Sequence, residues 1–260
     1  MIFKDYALFY DILYNDKDYD KECRFIVEVL RRMIPHAKRI IEFGSGTGKH
    51  GKLLAESGYQ VLGIEKSKEM YDLCKSYESL KSVDEPPAGG SFSCTLGDAL
   101  TTKLGADFDV ALALFHVFSY QTKKAQAVKM LLNANRHLKD GGIFVLDYWF
   151  APALHHLIPS TRVKRITNQT LDLTRLAEPE YSPHSNCVKV NYLTYAEDLR
   201  SGKIQKIEEC HEMRAFLIEE IEQLAKECGF TLIESSGWMT SLQPTPKTWS
   251  AYSVLQKKPK

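Results

Sequence analysis

The chain has 260 residues, 44% of them hydrophobic and 26% charged, with a formal net charge of +1. That length suits one large α/β domain, alone or carrying an insertion. The near-neutral charge leaves no basic footprint for nucleic acid, and no apolar run is long enough to span a membrane.

Helical periodicity runs from Tyr19 to Met33, with Pro35 as a stop. Lys38–Phe43, with Ile40, Ile41 and Phe43 ahead of a glycine loop, reads as a buried strand. Gly48–Ser57 is predicted as a helix closed by Gly58, Gln60–Glu65 as a second strand, and Ser67–Ser79 as a second helix capped by Ser67. Asp84–Gly90, with two prolines and two glycines, has loop chemistry. Ser91–Leu96 and Asp109–Phe115, apolar throughout after Asp109, are the third and fourth strands. Lys123–Leu138 is a helix ended near Asp140-Gly141-Gly142, and Ile143–Asp147 a fifth strand. This alternation implies right-handed βαβ units and a mostly parallel, doubly wound Rossmann-like sheet.

The pattern then changes. From Arg162 to Phe216, segments such as Val188–Tyr195 and Ile204–Met213 alternate and carry Thr and Tyr, as antiparallel strands do. Phe216–Cys228 returns to helix before Gly229, and Thr231–Ser235 and Thr248–Gln256 read as closing strands. One domain over 1–151 and 215–260 is expected, with an antiparallel β insertion at 152–214 near the acceptor site. Cys23, Cys74, Cys94, Cys187, Cys210 and Cys228 form no C-x-x-C pair, and no His cluster has zinc spacing. Reduced structural thiols, no metal and, with no signal peptide at Met1–Tyr6, a cytoplasmic location are the expectations.

The strongest chemical signal is Glu42-Phe43-Gly44-Ser45-Gly46-Thr47-Gly48, directly after a strand and opening a helix. Glycines there let the backbone turn sharply and approach a ligand. Glu65 ends the next strand about twenty residues on, where an acid can accept from both hydroxyls of a ribose. Lys66 and Met70, just beyond it, are counted with the cofactor set. Dinucleotide sites use G-x-G-x-x-G, with a helix N-terminus on a pyrophosphate. Here Gly48 comes one residue early and Glu42 precedes the loop. A carboxylate repels a pyrophosphate but favours a sulfonium or an α-amino group, so the signs oppose NAD. Asp98, in Gly97-Asp98-Ala99, is placed to accept from an adenine amino group. Leu114, Phe115 and His116 follow the fourth strand, where cofactor and substrate should meet.

The ordered series Glu42–Gly48, Gly63-Ile64-Glu65, Gly97-Asp98-Ala99 and Asp140-Gly141-Gly142 resembles the class I S-adenosylmethionine (SAM)-dependent methyltransferases over about residues 38–150 and the terminal strand pair. The resemblance implies SAM as methyl donor and S-adenosylhomocysteine as product, without metal. Tyr10-Asp11-Ile12-Leu13-Tyr14 ahead of the first core helix, and Asp147–Pro152 before the insertion, are similar to the N-methyltransferases of nucleotide-linked deoxyamino sugars, the desosamine and mycaminose type. That implies a small-molecule acceptor, a nucleotide-linked amino sugar first among them, and more weakly a homodimer. The Ser82–Gly90 loop and the segment Phe115–Tyr120 with its His116 depart from that pattern. A different sugar, a glycine-like amine or a hydroxyl acceptor therefore stays open, as does a SAM-binding protein without catalysis.

SAM carries an activated methyl, so the protein's work is positioning and electrostatics. An amine must give up its proton, and His116 has the side chain to take it or to orient the acceptor. Tyr14 and Tyr10 can close over the site, Tyr14 as part of the catalytic pair with His116 and Tyr10 towards the acceptor; aromatic faces attract sulfonium. Tyr19 is expected near the cofactor carboxylate. Tyr148 and Trp149 end the fifth strand facing opposite ways, so one of them should line the acceptor pocket. Arg162, Arg165 and Arg175 are candidates for a diphosphate, and Trp238 and Trp249 for the pocket border, beside their ordinary packing roles.

Overall fold

A computed structural model describes residues 3–80, 89–105 and 107–259. The expected loop at 84–90 therefore falls, apart from Gly89 and Gly90, outside the described residues. Eleven named strands form two sheets among these residues. The first has seven strands in the order β10-β11-β5-β4-β1-β2-β3. They are β1 Arg39–Phe43, β2 Gln60–Glu65, β3 Ser91–Leu96, β4 Phe108–Ala113, β5 Leu138–Trp149, β10 Phe230–Gly237 and β11 Ser250–Lys257. β1 pairs in parallel with β2 and β4, β2 with β3 and β4 with β5, while β11 runs antiparallel between β5 and β10. This is the mostly parallel, Rossmann-like sheet expected from the alternation of elements.

Helices α2 (Tyr19–Met33), α3 (Lys49–Glu56), α4 (Lys68–Leu80), α5 (Lys124–His137) and α7 (Ile218–Glu227) flank the sheet. Each has a physical start or stop: Asp18 caps α2 by accepting from the Lys21 N–H at 2.8 Å, and Gly229 follows α7 at φ +81°. Apolar side chains pack on both sheet faces, one cluster around Phe43, Phe118, Phe144 and Phe230, the other around Ile26, Leu30, Leu54 and Val254.

The second sheet is antiparallel, in the order β6-β7-β8-β9, from Arg162–Thr167, Leu171–Ser182, Cys187–Asp198 and Lys203–Arg214. The chain leaves β5 and returns at one place. Phe150 and Phe216 form a parallel bridge, the Phe216 N–H donates to the Trp149 carbonyl at 2.9 Å, and the Ala151 N–H donates to the Phe216 carbonyl at 3.0 Å.

Three local expectations change. β5 runs through Asp140-Gly141-Gly142 instead of starting at Ile143; Gly141 at φ +77° and a register shift between Phe108 and Val110 absorb the irregularity. β4 stops at Ala113, because Phe115 and His116 are left-handed, at φ +59° and +63°. The short helices α1 (Ala7–Leu13) and α6 (Ala151–His156) carry too few turns to show a period, although Pro152 in the first turn of α6 is a start signal.

Candidate active site

The site lies beyond the carboxyl ends of β1, β2, β4 and β5, where open α/β sheets bind ligands. A cavity of about 720 Å³ opens there, within the range of about 300–1,000 Å³ usual for small-molecule sites. Its floor is the glycine turn. The Gly44 N–H donates to the Ile64 carbonyl at 2.8 Å, which pins the turn to β2. Gly44 and Gly46 stand at φ +67° and +56°, and a Cβ built on Gly46 would meet nothing within 4 Å, so the turn faces open space. Glu65 ends β2 on the cavity wall, where its carboxylate accepts from the Gly46 N–H and the Ser67 N–H, both at 2.7 Å. Burial raises its pKa against those backbone donors. Just beyond the neighbouring β3, Asp98 accepts from the Leu100 N–H at 2.8 Å and pairs with Lys66 at 2.8 Å. Burial opposes its ionisation, but Lys66 and Leu100 outweigh it and hold the carboxyl below its usual range.

At the end of β4 the consecutive left-handed residues Phe115 and His116 form a turn that non-glycine residues rarely adopt. The His116 N–H donates to the Asp147 carboxylate at 3.1 Å, which holds the turn. His116 Nδ1 lies 2.7 Å from Asp147 Oδ2, an ion-pair approach without hydrogen-bond alignment. Asp147 is buried at the β5 tip, so a carboxylate flanks the imidazole from inside the fold. Trp149, two residues on, lies 6.1 Å from His116 and 5.4 Å from Trp249, ring to ring, and all three line the cavity.

The far wall comes from the second sheet and the N-terminal segment. Tyr192 of β8 and His211 and Met213 of β9 reach the cavity. Arg175 of β7 donates to Tyr6 Oη at 2.9 Å and Tyr14 Oη at 3.2 Å. Asp11 accepts from Thr47 Oγ1 at 3.0 Å and pairs with Lys49 at 3.1 Å, which ties α1 to the glycine turn. Tyr14 packs edge-on against Phe115 at 5.3 Å, and Tyr19 edge-on against His50 at 4.9 Å.

This geometry has counterparts. Residues 40–142 match the family model described as a methyltransferase domain. YqeM of Bacillus subtilis (strain 168), named as a methyltransferase without a stated acceptor, is 24% identical over 99% of this chain and 98% of its own length. The protein is a SAM-dependent methyltransferase. Another relative, the dTDP-3-amino-3,6-dideoxy-alpha-D-glucopyranose N,N-dimethyltransferase of Streptomyces fradiae, is 22% identical over 87% of this chain and 84% of its own. The solved structure of the sugar N-methyltransferase KedS8 from Streptoalloteichus sp ATCC 53650 superposes with a TM-score of 0.79 at 19% identity, over 100% of this chain and 95% of that one, and so shares the fold.

The methyltransferase brings most of the expected residues to one cavity. Tyr10, Tyr14, Tyr19, Gly44, Gly46, Glu65, Lys66, Met70, Gly97, Asp98, Ala99, Leu114, His116 and Trp149 all line it. Three expected residues do not. Glu42 is 2% exposed and sits beneath the turn against Gly51, where burial pushes its carboxyl up to about 8 and leaves Oε2 without a partner. Its strand position turns it away from the cavity, so the charge argument cannot act through it directly. Gly48, at φ +81°, caps α3; a Cβ there would lie 2.6 Å from Phe92, so its role is packing. Tyr148 points to the opposite face from Trp149, fully buried, its hydroxyl 3.0 Å from Ser253 Oγ and 3.2 Å from Ser235 Oγ. The expected acceptor role for Tyr148 is withdrawn. Of the other residues weighed, Arg162 and Trp249 reach the wall, while Trp238 packs on Phe25 and Tyr252.

Some cavity residues escaped the sequence reading. His50 is buried and sits 2.8 Å from Glu22 Oε2, and Lys17 pairs with the same carboxylate. Burial works against Glu22, but His50 and Lys17 hold its carboxyl down at about 2. Tyr120 and His211 also went unassigned; the period-two spacing of Glu209 and His211 on β9 was the available signal. Among the described residues, no helix is long and apolar enough to cross a membrane, and no group of three or more His, Cys, Asp or Glu is arranged to hold a metal ion.

Proposed function

We propose that this methyltransferase N-methylates a small polar amine, and that the acceptor class it fits best is a nucleotide-linked amino sugar. One observation carries the reading: a single cavity runs from the glycine turn, Glu65 and Asp98 to an aromatic chamber walled by the β4 and β5 tips and the second sheet. SAM supplies an electrophilic methyl on a sulfonium. Glu65 would hold the ribose hydroxyls, Asp98 the adenine amino group, and Met70, Ala99 and Leu114 the apolar surfaces between. Tyr14 and Tyr19 bring aromatic rings to the positive end, although Arg175 sits over the Tyr14 ring and Lys17 and Lys49 over the Tyr19 ring. Tyr10 and Trp149 would border the acceptor, and His116, backed by Asp147, would orient it or take its proton. Arg162, exposed at the rim, suits a phosphate. The sugar substrates in the names of relatives at low identity support the acceptor class. Six cysteines outside any disulfide, five of them buried, suit a reducing cytoplasm.

The test is mass spectrometry of dTDP-linked amino sugars incubated with SAM and the full chain. One or two added methyl groups on the amine are expected. Methylation of a hydroxyl analogue with none of any amine would overturn the reading.

A further inference from the structure

The geometry points to a proton relay, Tyr120–His211–Glu209, that deprotonates the acceptor amine; it rests on the amine-acceptor reading above. Tyr120 closes the short 3₁₀ turn Val117–Tyr120 after β4, and His211 lies on β9, so the relay joins the two sheets across the cavity. Tyr120 Oη is 2.8 Å from His211 Nδ1, and His211 Nε2 is 2.9 Å from Glu209 Oε2. Glu209 also accepts the Phe3 N–H at 2.9 Å and the Lys4 N–H at 2.8 Å.

The order of donors follows from chemistry. An ionised carboxylate only accepts, so Nε2 of His211 must carry the proton on that side. In the neutral ring Nδ1 is then the acceptor, and Tyr120 donates to it. The phenol's hydrogen is then directed at His211 Nδ1, which leaves its oxygen lone pairs for the substrate. Burial works against the Glu209 charge, but His211 and the two backbone donors outweigh it and keep its carboxyl below the usual range. The other titratable or charged groups facing the pair are Tyr6, Tyr10, Tyr14 and Tyr192, with Arg175 behind them. On the outer side, Glu178 and Glu208 line a second pocket together with Glu209.

An aliphatic amine arrives largely as ammonium and has no lone pair to accept a methyl. One N–H bond breaks and its electron pair stays on nitrogen. The proton bonds to Tyr120 Oη while the phenol's own proton passes to His211 Nδ1. His211 becomes an imidazolium whose charge Glu209 balances. The proton returns to solvent by the reverse path after product leaves. Tyr120 is the catalytic residue here. His211 and Glu209 are positioning residues acting through it, and His116 is left with orientation.

Two measurements test this on the full chain. The first is ¹⁵N NMR of the His211 imidazole in the complex with S-adenosylhomocysteine. A ring protonated at Nε2 and accepting at Nδ1 is expected; a ring protonated at Nδ1 overturns the relay whatever the acceptor proves to be. The second is the pH profile of kcat with dTDP-3-amino-3,6-dideoxyglucose as the probe amine. Tyr120→Phe should lower kcat about 100-fold or more while S-adenosylhomocysteine affinity holds. Glu209→Gln should lower kcat and move the acid limb to lower pH, because the imidazolium loses its partner, and Glu209→Asp should restore part of both. An unchanged kcat and pH profile in Tyr120→Phe overturns the relay. If the wild type methylates no amine, the acceptor reading fails, and the NMR result still decides the relay.

Discussion

Glu42→Gln gives the sharpest check on how the site is built. Glu42 is fully enclosed beneath the glycine turn, and burial lifts its carboxyl from 4.5 to about 8. The unfolded chain gives up this proton near pH 4.5, whereas the folded chain keeps it until near pH 8. Between those limits the folded state binds one more proton, so wild-type stability falls as pH rises, by about 1.4 kcal/mol per pH unit. At pH 7 the accumulated loss is about 3 kcal/mol, and it levels off above pH 8. Glutamine has nearly the same shape and no proton to lose. The variant should match wild type near pH 4.5 and become progressively more stable from pH 5 to pH 8. Urea unfolding followed by circular dichroism at four pH values reads this difference. Calorimetric titration with S-adenosylhomocysteine should show little change, since Glu42 is off the cavity wall. A constant difference at every pH would refute the buried, protonated carboxyl. A large loss of cofactor affinity would refute its placement away from the ligand.

Other outcomes follow from neighbouring residues. Glu65→Ala strips the end of β2 of its only carboxylate and should weaken S-adenosylhomocysteine binding by about 2–3 kcal/mol in calorimetry, the scale of a charge-assisted hydrogen bond. Gly48→Ala puts a Cβ 2.6 Å from Phe92 at φ +81°; strain and overpacking should cost about 2 kcal/mol and lower the Tm. Glu22, held at about 2 by His50 and Lys17 against burial, stabilises the fold above pH 4.5, and that contribution disappears as pH falls from 4.5 to 2. Glu22→Gln should therefore flatten the acid limb of the stability profile measured by urea unfolding.

Much of this protein was legible without coordinates, for identifiable reasons. The parallel strands are short runs rich in apolar residues, β1 and β3 of them closed by glycines, and Glu65, Asp98 and His116 stand at or just beyond their ends, so the reading of strands also located much of the cavity wall. Alternation in 188–195 and 204–213 marked the second sheet. What failed depended on direction. Glu42 was read as an acid beside the loop, yet its side chain turns under the strand. Tyr148 and Trp149 could not be told apart, because period two gives opposite faces without saying which face is the pocket. The pairing of Tyr120 with His211 joins residues 91 positions apart, and only the docking of one sheet on the other makes it visible.

The hydrogen bonds around Phe150 and Phe216 mean that the chain departs for the second sheet and comes home at adjacent points. The four-stranded unit is anchored on the first sheet by backbone at these two points, and Arg175, Glu209 and His211 tie it further to the N-terminal segment and the β4 tip. A cut at the same two residues would carry away the Tyr192, His211 and Met213 wall of the cavity in one piece and leave the Tyr10, His116 and Trp149 wall with the first sheet.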